Sequence, residues 1–248
     1  MKSKTQTTSL ALLLCGVFAA CGATARAEID FSLFTGMAFT QNNDVRVQKN
    51  DGTDLTFHDV SFKGRDFESP PYYGGRLLWF RDQYSHWGFG GEYFHAKLYA
   101  NTSQNYLVTG DHAGVAVNNV QPMDRIVQTF SISHGLNLVL GDIVYRWLPG
   151  NPGKDFLGRF QPYIGLGLGA AIPHVESRVD NSFHQNYQLR GPGLEAFAGV
   201  RFHLIEHLAL MFEYKFTYAA LENMSIPKGS IEMDPLTHHL VAGLSVDF

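Results

Sequence analysis

The chain has 248 residues, with 19 basic and 23 acidic side chains, 11 histidines and a formal charge of −4. This acidic balance excludes a nucleic-acid binder that works through charge. Both cysteines, Cys15 and Cys21, lie near the start. The remaining chain therefore has no disulfide framework, thiolate nucleophile or cysteine metal site.

The first 27 residues have the pattern of a secretory signal peptide. Lys2 and Lys4 precede an apolar run at 10–20, which is too short to cross a bilayer as a helix, and Ala25-Arg-Ala27 is a small-x-small cleavage site. The sequence thus predicts two segments: a signal peptide at 1–27 and an outer-membrane β-barrel at 28–248.

Cleavage after residue 27 would leave 16 basic against 23 acidic residues, a formal charge of −7. One alternative is a lipoprotein acylated at Cys21. Phe18 is a poor residue for the first position of the acylation motif that would end at Cys21.

The rest of the chain shows the two-residue period of β-strands. No later stretch reaches 18 consecutive apolar residues, so a membrane-embedded form has to be a closed barrel, in which every backbone group is paired. An even number of strands with ten or more residues predicts an all-β, eight-stranded antiparallel up-and-down transmembrane barrel in the outer membrane of a Gram-negative cell. The predicted strands are 29–41, 72–81, 86–99, 134–147, 160–176, 187–204, 208–221 and 237–248.

The connections between these strands alternate in length. The long ones are 42–71, 100–133 and 222–236, whereas 82–85 and 205–207 are tight turns. Short periplasmic turns and long outer loops are typical of outer-membrane barrels. The fourth strand loses its alternation near Gly141-Asp142, where we predict a bulge.

Charged residues at inward positions predict a lumen filled by paired charges, because eight strands leave an interior just wide enough for side chains. These residues are Glu92, Asp142, Arg146, Glu195, Arg201, Glu213, Lys215 and His239.

Polar side chains also converge on the outer ends of six strands, and such a concave mouth is a candidate site. The candidate catalytic residues are His134, His174, Glu176 and Glu213, and the candidate substrate-binding residues are His95, Lys97, Asn137, Lys215 and His239.

Two kinds of chemistry compete at this rim. His134, His174 and Glu176 are a His/His/carboxylate set of the type that holds non-haem iron or zinc, so a divalent metal is one alternative, although no cofactor is specified by the sequence. A serine hydrolase needs a serine beside a histidine. Ser133 is adjacent to His134 and should point to the opposite face, unless a bulge turns it.

Several motifs, in order, resemble those of outer-membrane barrels identified as lipid A oxidases. The resemblance covers about 72–248, and the loop 42–71 matches nothing in it. The motifs are the third-strand segment 92–97, SHGLN at 133–137, PYIGLGLG at 162–169, IPHVE at 172–176, YQLRGP at 187–192, EYK at 213–215, Thr237-His238 and Gly243-Leu244.

The resemblance implies oxygen-dependent oxidation of the proximal glucosamine of lipid A to 2-aminogluconate. Lipopolysaccharide and outer-membrane lipids would be the partners. His134, and His174 with Glu176, would act as bases or ligands, while Lys97 and Lys215 would contact phosphates and Asn137 would orient the sugar. A non-enzymatic barrel with a structural or surface-interaction role is the main alternative, and a lipid A deacylase is another.

Overall fold

The computed structural model describes residues 27–150 and 155–248, so the predicted signal peptide falls almost wholly outside the described residues and stays a prediction. Across these two ranges, no helix has the length and apolar character needed to cross a bilayer. The strands are β1 (Glu28–Thr40), β2 (Asn43–Lys49), β3 (Asp54–Val60), β4 (Phe62–Lys63), β5 (Tyr73–Phe80), β6 (Trp87–Ala100), β7 (Asn105–His112), β8 (Val115–Pro122), β9 (Val127–Arg146), β10 (Phe160–Val179), β11 (Ser182–Tyr187), β12 (Arg190–Ile205), β13 (Leu208–Ala219), β14 (Leu221–Ile226), β15 (Gly229–Met233) and β16 (Leu236–Asp247), with short 3-10 helices at Met123–Arg125 and Leu157–Arg159.

Eight of these strands form a closed antiparallel barrel. β1, β5, β6, β9, β10, β12, β13 and β16 pair with one another in chain order, and β16 pairs back onto β1. The closing register runs from Asp30 opposite Asp247 to Thr40 opposite Thr237. The predicted all-β eight-stranded barrel is therefore confirmed, and its strands follow the predicted order.

The largest difference in strand length concerns β9 and β10. β9 begins at Val127, seven residues before the predicted start at 134, and both strands have 20 residues. Their outer parts extend beyond the neighbouring strands and support the hairpin strand β11 on β10.

The predicted bulge at Gly141-Asp142 is wrong. Both residues pair continuously with β6 and β10, and the register shift lies between Leu136 and Ile132 instead. Gly135 has a φ of +98° there, a backbone conformation that favours glycine. The alternation is weak near residue 141 because inward positions of β9 include buried leucines, not because the backbone is irregular.

Side chains alternate between an apolar outer wall and a lumen with a charged layer. On β10 the outward Ile164, Leu166 and Leu168 are 48, 60 and 62% exposed. The inward glycines between them make room: a Cβ at Gly165 would strike the ring of Phe197. Near the strand ends, the rings of Trp79, Trp87 and Trp147 are exposed on the wall, whereas the Tyr72 ring is buried inside.

Three outer loops build a second, six-stranded sheet, which the sequence analysis treated as polar loops. Its strands lie in the order β14-β15-β2-β3-β7-β8. Val47, Leu55, Phe57 and Ile231 are fully buried on one face, within the same apolar core as the upper barrel. This loop sheet covers the outer end of the barrel.

Candidate functional site

The middle of the lumen holds a layer of interlocked ion pairs. Arg76 donates to both carboxylate oxygens of Glu213, at 2.6 and 3.0 Å, and also bonds Glu92. Lys215 contacts Glu92 and lies 3.0 Å from Glu195. These side chains are fully buried. The layer matches the predicted plug of paired charges.

A second charged layer closes the end that carries the termini. Arg146 donates to Glu28, with one contact at 2.9 Å, and Arg201 bonds Asp247 at 3.0 Å and Asp30. Both arginines are at most 5% exposed. They occupy the inward positions that the alternation predicted.

Three candidate residues lie in the lumen rather than at an open rim. Glu213 and Lys215 belong to the central ion-pair layer, and His239 shares a hydrogen bond of 2.9 Å with Thr217 beneath the rings of Tyr72 and Phe94. Above them the inward positions are apolar and are covered by the loop sheet. The predicted open polar mouth is therefore wrong, because apolar loop residues fill it.

The other six candidates lie on the outside of the barrel, near the outer ends of β5, β6, β9 and β10. Paired residues share a face of the sheet, and His174 and Glu176 share the outward face with Leu166 and Leu168. Five of these candidates, without Lys97, form a group with four neighbouring side chains that we name the outer-wall cluster. Its members are Tyr73, Tyr93, His95, Ser133, His134, Asn137, His174, Glu176 and Tyr187.

The bulge at 133–135 brings a hydroxyl, an imidazole and a carboxylate together. Ser133 Oγ donates to Glu176 Oε2 at 2.7 Å and lies 3.1 Å from His134 Nδ1. Simple alternation would have separated Ser133 from His134. A positive φ at Gly135 makes their approach achievable, and a glycine within a strand was the available sequence signal.

Two further rings border this group. The centroids of His134 and His174 are 4.6 Å apart, and those of His174 and Tyr187 are 4.5 Å apart. His174 is 7% exposed and its Nδ1 has no hydrogen-bond partner, whereas Tyr187 is 60% exposed. The cluster thus has polar groups at its centre and the exposed aromatic ring of Tyr187 at its border.

Asn137 holds the bulge in place. Its Nδ2 donates to the carbonyls of Gly135 and Ile172 at 3.1 and 3.0 Å. Its Oδ1 accepts from the Tyr93 hydroxyl at 2.8 Å and lies 3.1 Å from His95 Nδ1. These hydrogen bonds place Asn137 to orient the bulge, and its role in orienting a sugar stays a prediction.

Lys97 lies beyond His95 and is only 3% exposed. Its Nζ donates to the backbone carbonyl of Glu68 at 3.1 Å, so the first outer loop covers it. Arg65, from the same loop, stacks on Tyr99 at 4.2 Å. The predicted phosphate contact of Lys97 requires this loop segment to move.

The ion-pair layer of the lumen and the outer-wall cluster differ in how closely their potential metal ligands lie together. Within residues 27–150 and 155–248, three potential ligand atoms lie within 4.8 Å of one another only in the group Glu92, Asp142 and Glu195. That group is occupied by Arg76 and Lys215. His134, His174 and Glu176 are neighbours but do not form such a preassembled set.

The outer-wall cluster combines the Glu176 carboxylate, three imidazoles and the Ser133 hydroxyl on a surface flanked by apolar side chains. Such groups support proton abstraction or nucleophilic attack on an amphiphile. Sequence reasoning did not single out Tyr93 and Tyr187 for this site, because only the three-dimensional pairing places them beside the histidines.

No protein-family model matches the sequence, and no curated protein matches it. Among solved structures the chain is similar to Neisserial surface protein A (12% identity, 90% of this chain, 97% of that chain, TM-score 0.41). It is also similar to OprG of Pseudomonas aeruginosa (14% identity, 90% of this chain, 96% of that chain, TM-score 0.38). A third similar structure is the outer membrane protease OmpT of Escherichia coli (8% identity, 90% of this chain, 96% of that chain, TM-score 0.42). At these scores the barrel assignment rests on the strand pairing of the chain itself.

Proposed function

We propose that this protein is an outer-membrane barrel that modifies lipid A on its outer wall. One observation carries the proposal: Ser133, His134, His174 and Glu176 meet on the outward face, near the long-loop end. In a barrel with apolar residues outside and periplasmic termini, this end lies at the level of the outer-leaflet head groups. A lipid can reach such a site by lateral diffusion.

The reaction that we expect first is oxidation of the proximal glucosamine to 2-aminogluconate, on the strength of the sequence resemblance. In this reaction the anomeric carbon loses two electrons and two protons to dioxygen, and water opens the resulting lactone. Glu176 or His134 would accept the hydroxyl proton. A redox-active metal would supply the electron transfer to dioxygen, and His134, His174 and Glu176 are the residues that would hold it once their side chains had moved closer together.

Hydrolysis of an acyl ester is the second candidate, and the position of Ser133 favours it. Ser133 Oγ would attack the ester carbonyl while Glu176, 2.7 Å away, takes its proton and passes it to the sugar hydroxyl that leaves as the ester bond breaks, and water would then release the fatty acid from Ser133. The carboxylate, not the histidine, is the nearer base, which differs from the usual order of a serine triad. This reaction uses no metal.

A non-enzymatic surface role is the remaining candidate, and the loop sheet favours it. Its strand β8 is an edge strand with Val115 and Val120 both 67% exposed, so it offers a free edge to another chain.

Mass spectrometry of lipid A from a host with a defined lipid A tests the proposal. The host lipid needs a free anomeric hydroxyl, since a phosphorylated carbon cannot be oxidised in this way. Expression should add one oxygen atom, dependent on air and sensitive to chelators, and Glu176→Gln should abolish the change. Loss of an acyl chain, insensitive to chelators and abolished by Ser133→Ala, would select hydrolysis. An unchanged spectrum with folded protein would favour the surface role.

A further inference from the structure

A recess of about 730 Å³ lies on the outer wall, nearer the membrane centre than the outer-wall cluster. Gly141 lies in it. The recess is lined mainly by apolar side chains of five neighbouring strands, including Phe89, Ile143, Leu166, Leu168 and Leu194. At its outward position 141, Gly141 adds no side chain to the recess.

The recess and the outer-wall cluster lie on the same strands β6, β9 and β10. Below Asn137, the next outward position of β9 is Val139, and it is flanked by Ala170 on β10 and Tyr93 on β6. Gly141 follows. Four residues of strand separate Asn137 from Gly141, which is about 13 Å. An acyl chain that extends from the polar groups therefore has to pass Val139 and Ala170 to reach the apolar recess.

We propose that this recess binds one acyl chain of the lipid whose head group lies at the outer-wall cluster. The inference rests on the proposed function and adds a chain-binding subsite to it. A hydrocarbon chain gains by filling an apolar gap that bulk lipid packs poorly. A chain held at this distance from the cluster fixes the position of the head group, so the recess selects lipids by chain length.

Gly141→Leu tests the recess without disturbing the barrel. A Cβ at Gly141 would have no atom closer than 3.8 Å, so a larger side chain fits and fills the recess. Ala198→Leu is the matched control, because it adds bulk to another outward position, on β12, that does not line the recess. The heat-dependent gel shift verifies that both variants fold.

Two readouts are needed: modification of lipid A carrying long or shortened acyl chains, and lipid A retained by the purified protein in native mass spectrometry. Gly141→Leu should lower both several-fold for the long-chain lipid and leave modification of the short-chain lipid unchanged, whereas Ala198→Leu should change neither.

Equal behaviour of the two variants overturns the inference and leaves the proposed function intact. If the wild type retains lipid A without modifying it and Gly141→Leu loses retention, the recess stands and the catalytic proposal fails. Wild-type protein that neither retains nor modifies lipid A overturns both.

Discussion

At the residue scale, the ion pairs of the lumen are not equivalent. Glu213 satisfies two donors of Arg76 and also accepts from the Tyr163 hydroxyl at 2.9 Å. Glu195 contacts Lys215, which also bonds Glu92. Four carboxylates share two cations in this layer, so one negative charge can be removed without leaving a cation alone.

We therefore expect Glu213→Gln to destabilise the barrel by about 1.5–3 kcal/mol, because Arg76 keeps Glu92 but loses the charge of the carboxylate that accepts two of its hydrogen bonds. Glu195→Gln should cost much less, since Lys215 keeps Glu92 as its partner. Urea unfolding in detergent micelles measures both. Equal losses of unfolding free energy in the two variants would show that the number of charged partners does not determine the stability of this layer.

Gly135 allows the bulge that positions Ser133 and His134 in the outer-wall cluster. With φ at +98° and the His95 ring against its α-carbon, it has no room for a side chain. Gly135→Ala should displace Ser133 and His134 and lower lipid A modification on the order of 100-fold, the usual effect of misplacing a reacting group by about 1 Å. Gly114→Ala is the control, because Gly114 also has a positive φ, of +81°, but lies in the turn between β7 and β8 with nothing within 4 Å of its Cβ. Full activity of Gly135→Ala in the lipid A assay would contradict the role of the bulge.

At the element scale, the loop sheet is the part that the sequence analysis missed. Strands β2 and β3 alternate buried and exposed residues, but they are seven residues long and lie within a segment rich in Asn, Asp and Gly. Their pairing partners come from two other loops, and such non-local pairing leaves no pattern in one segment. The barrel strands, in contrast, were predictable because each has a long apolar outer face.

Phe57 anchors this sheet from a fully buried position. Phe57→Ala should cost about 3–5 kcal/mol locally and expose the loops to protease on intact cells, while the barrel stays resistant. Thr56→Ala, half-buried on the other face of β3, is the control. Resistance of the Phe57→Ala loops to proteinase K would mean that the sheet does not depend on this core.

The pH response of the sheet follows from Arg46 and Asp54. The hydrogen bond from the Arg46 guanidinium lowers the pKa of the Asp54 carboxyl below its ordinary value. A lowered folded-state pKa contributes stability above the unfolded value, near 4, that is lost as pH falls through the folded pKa. The pair is nearly half exposed, so the contribution is below about 1 kcal/mol. Asp54→Asn should remove this acid sensitivity of the loop proteolysis rate, and unchanged sensitivity would contradict it.

At the scale of the whole molecule, the protein is a filled barrel with a covered outer end and a polar site on its side. The alternation predicted which residues of β12, β13 and β16 face inward, and the ion pairs of Arg76 and Lys215 agree with it. The alternation gave wrong positions for candidate residues at the outer strand ends. Topology alone shows at which strand end a residue lies, but not which face of the sheet the residue occupies beyond a bulge. Hence His134 and Glu213, both expected at one mouth, lie on opposite sides of the wall.

A closed barrel of this kind should stay folded in dodecyl sulfate until heated. The purified protein should therefore migrate faster before boiling than after it, because every strand is hydrogen-bonded on both sides. A soluble protein without this shift would contradict the transmembrane assignment.

The central claim is that lipid A docks at the outer-wall cluster, and photocrosslinking in whole cells tests it most directly. Benzoylphenylalanine would replace Tyr93, a member of the cluster, or Tyr214, which is exposed on another part of the outer wall. We predict a lipopolysaccharide adduct several-fold stronger at position 93 than at 214. Equal adducts would mean nonspecific contact with the outer leaflet, and a stronger adduct at 214 would place the lipid elsewhere on the barrel.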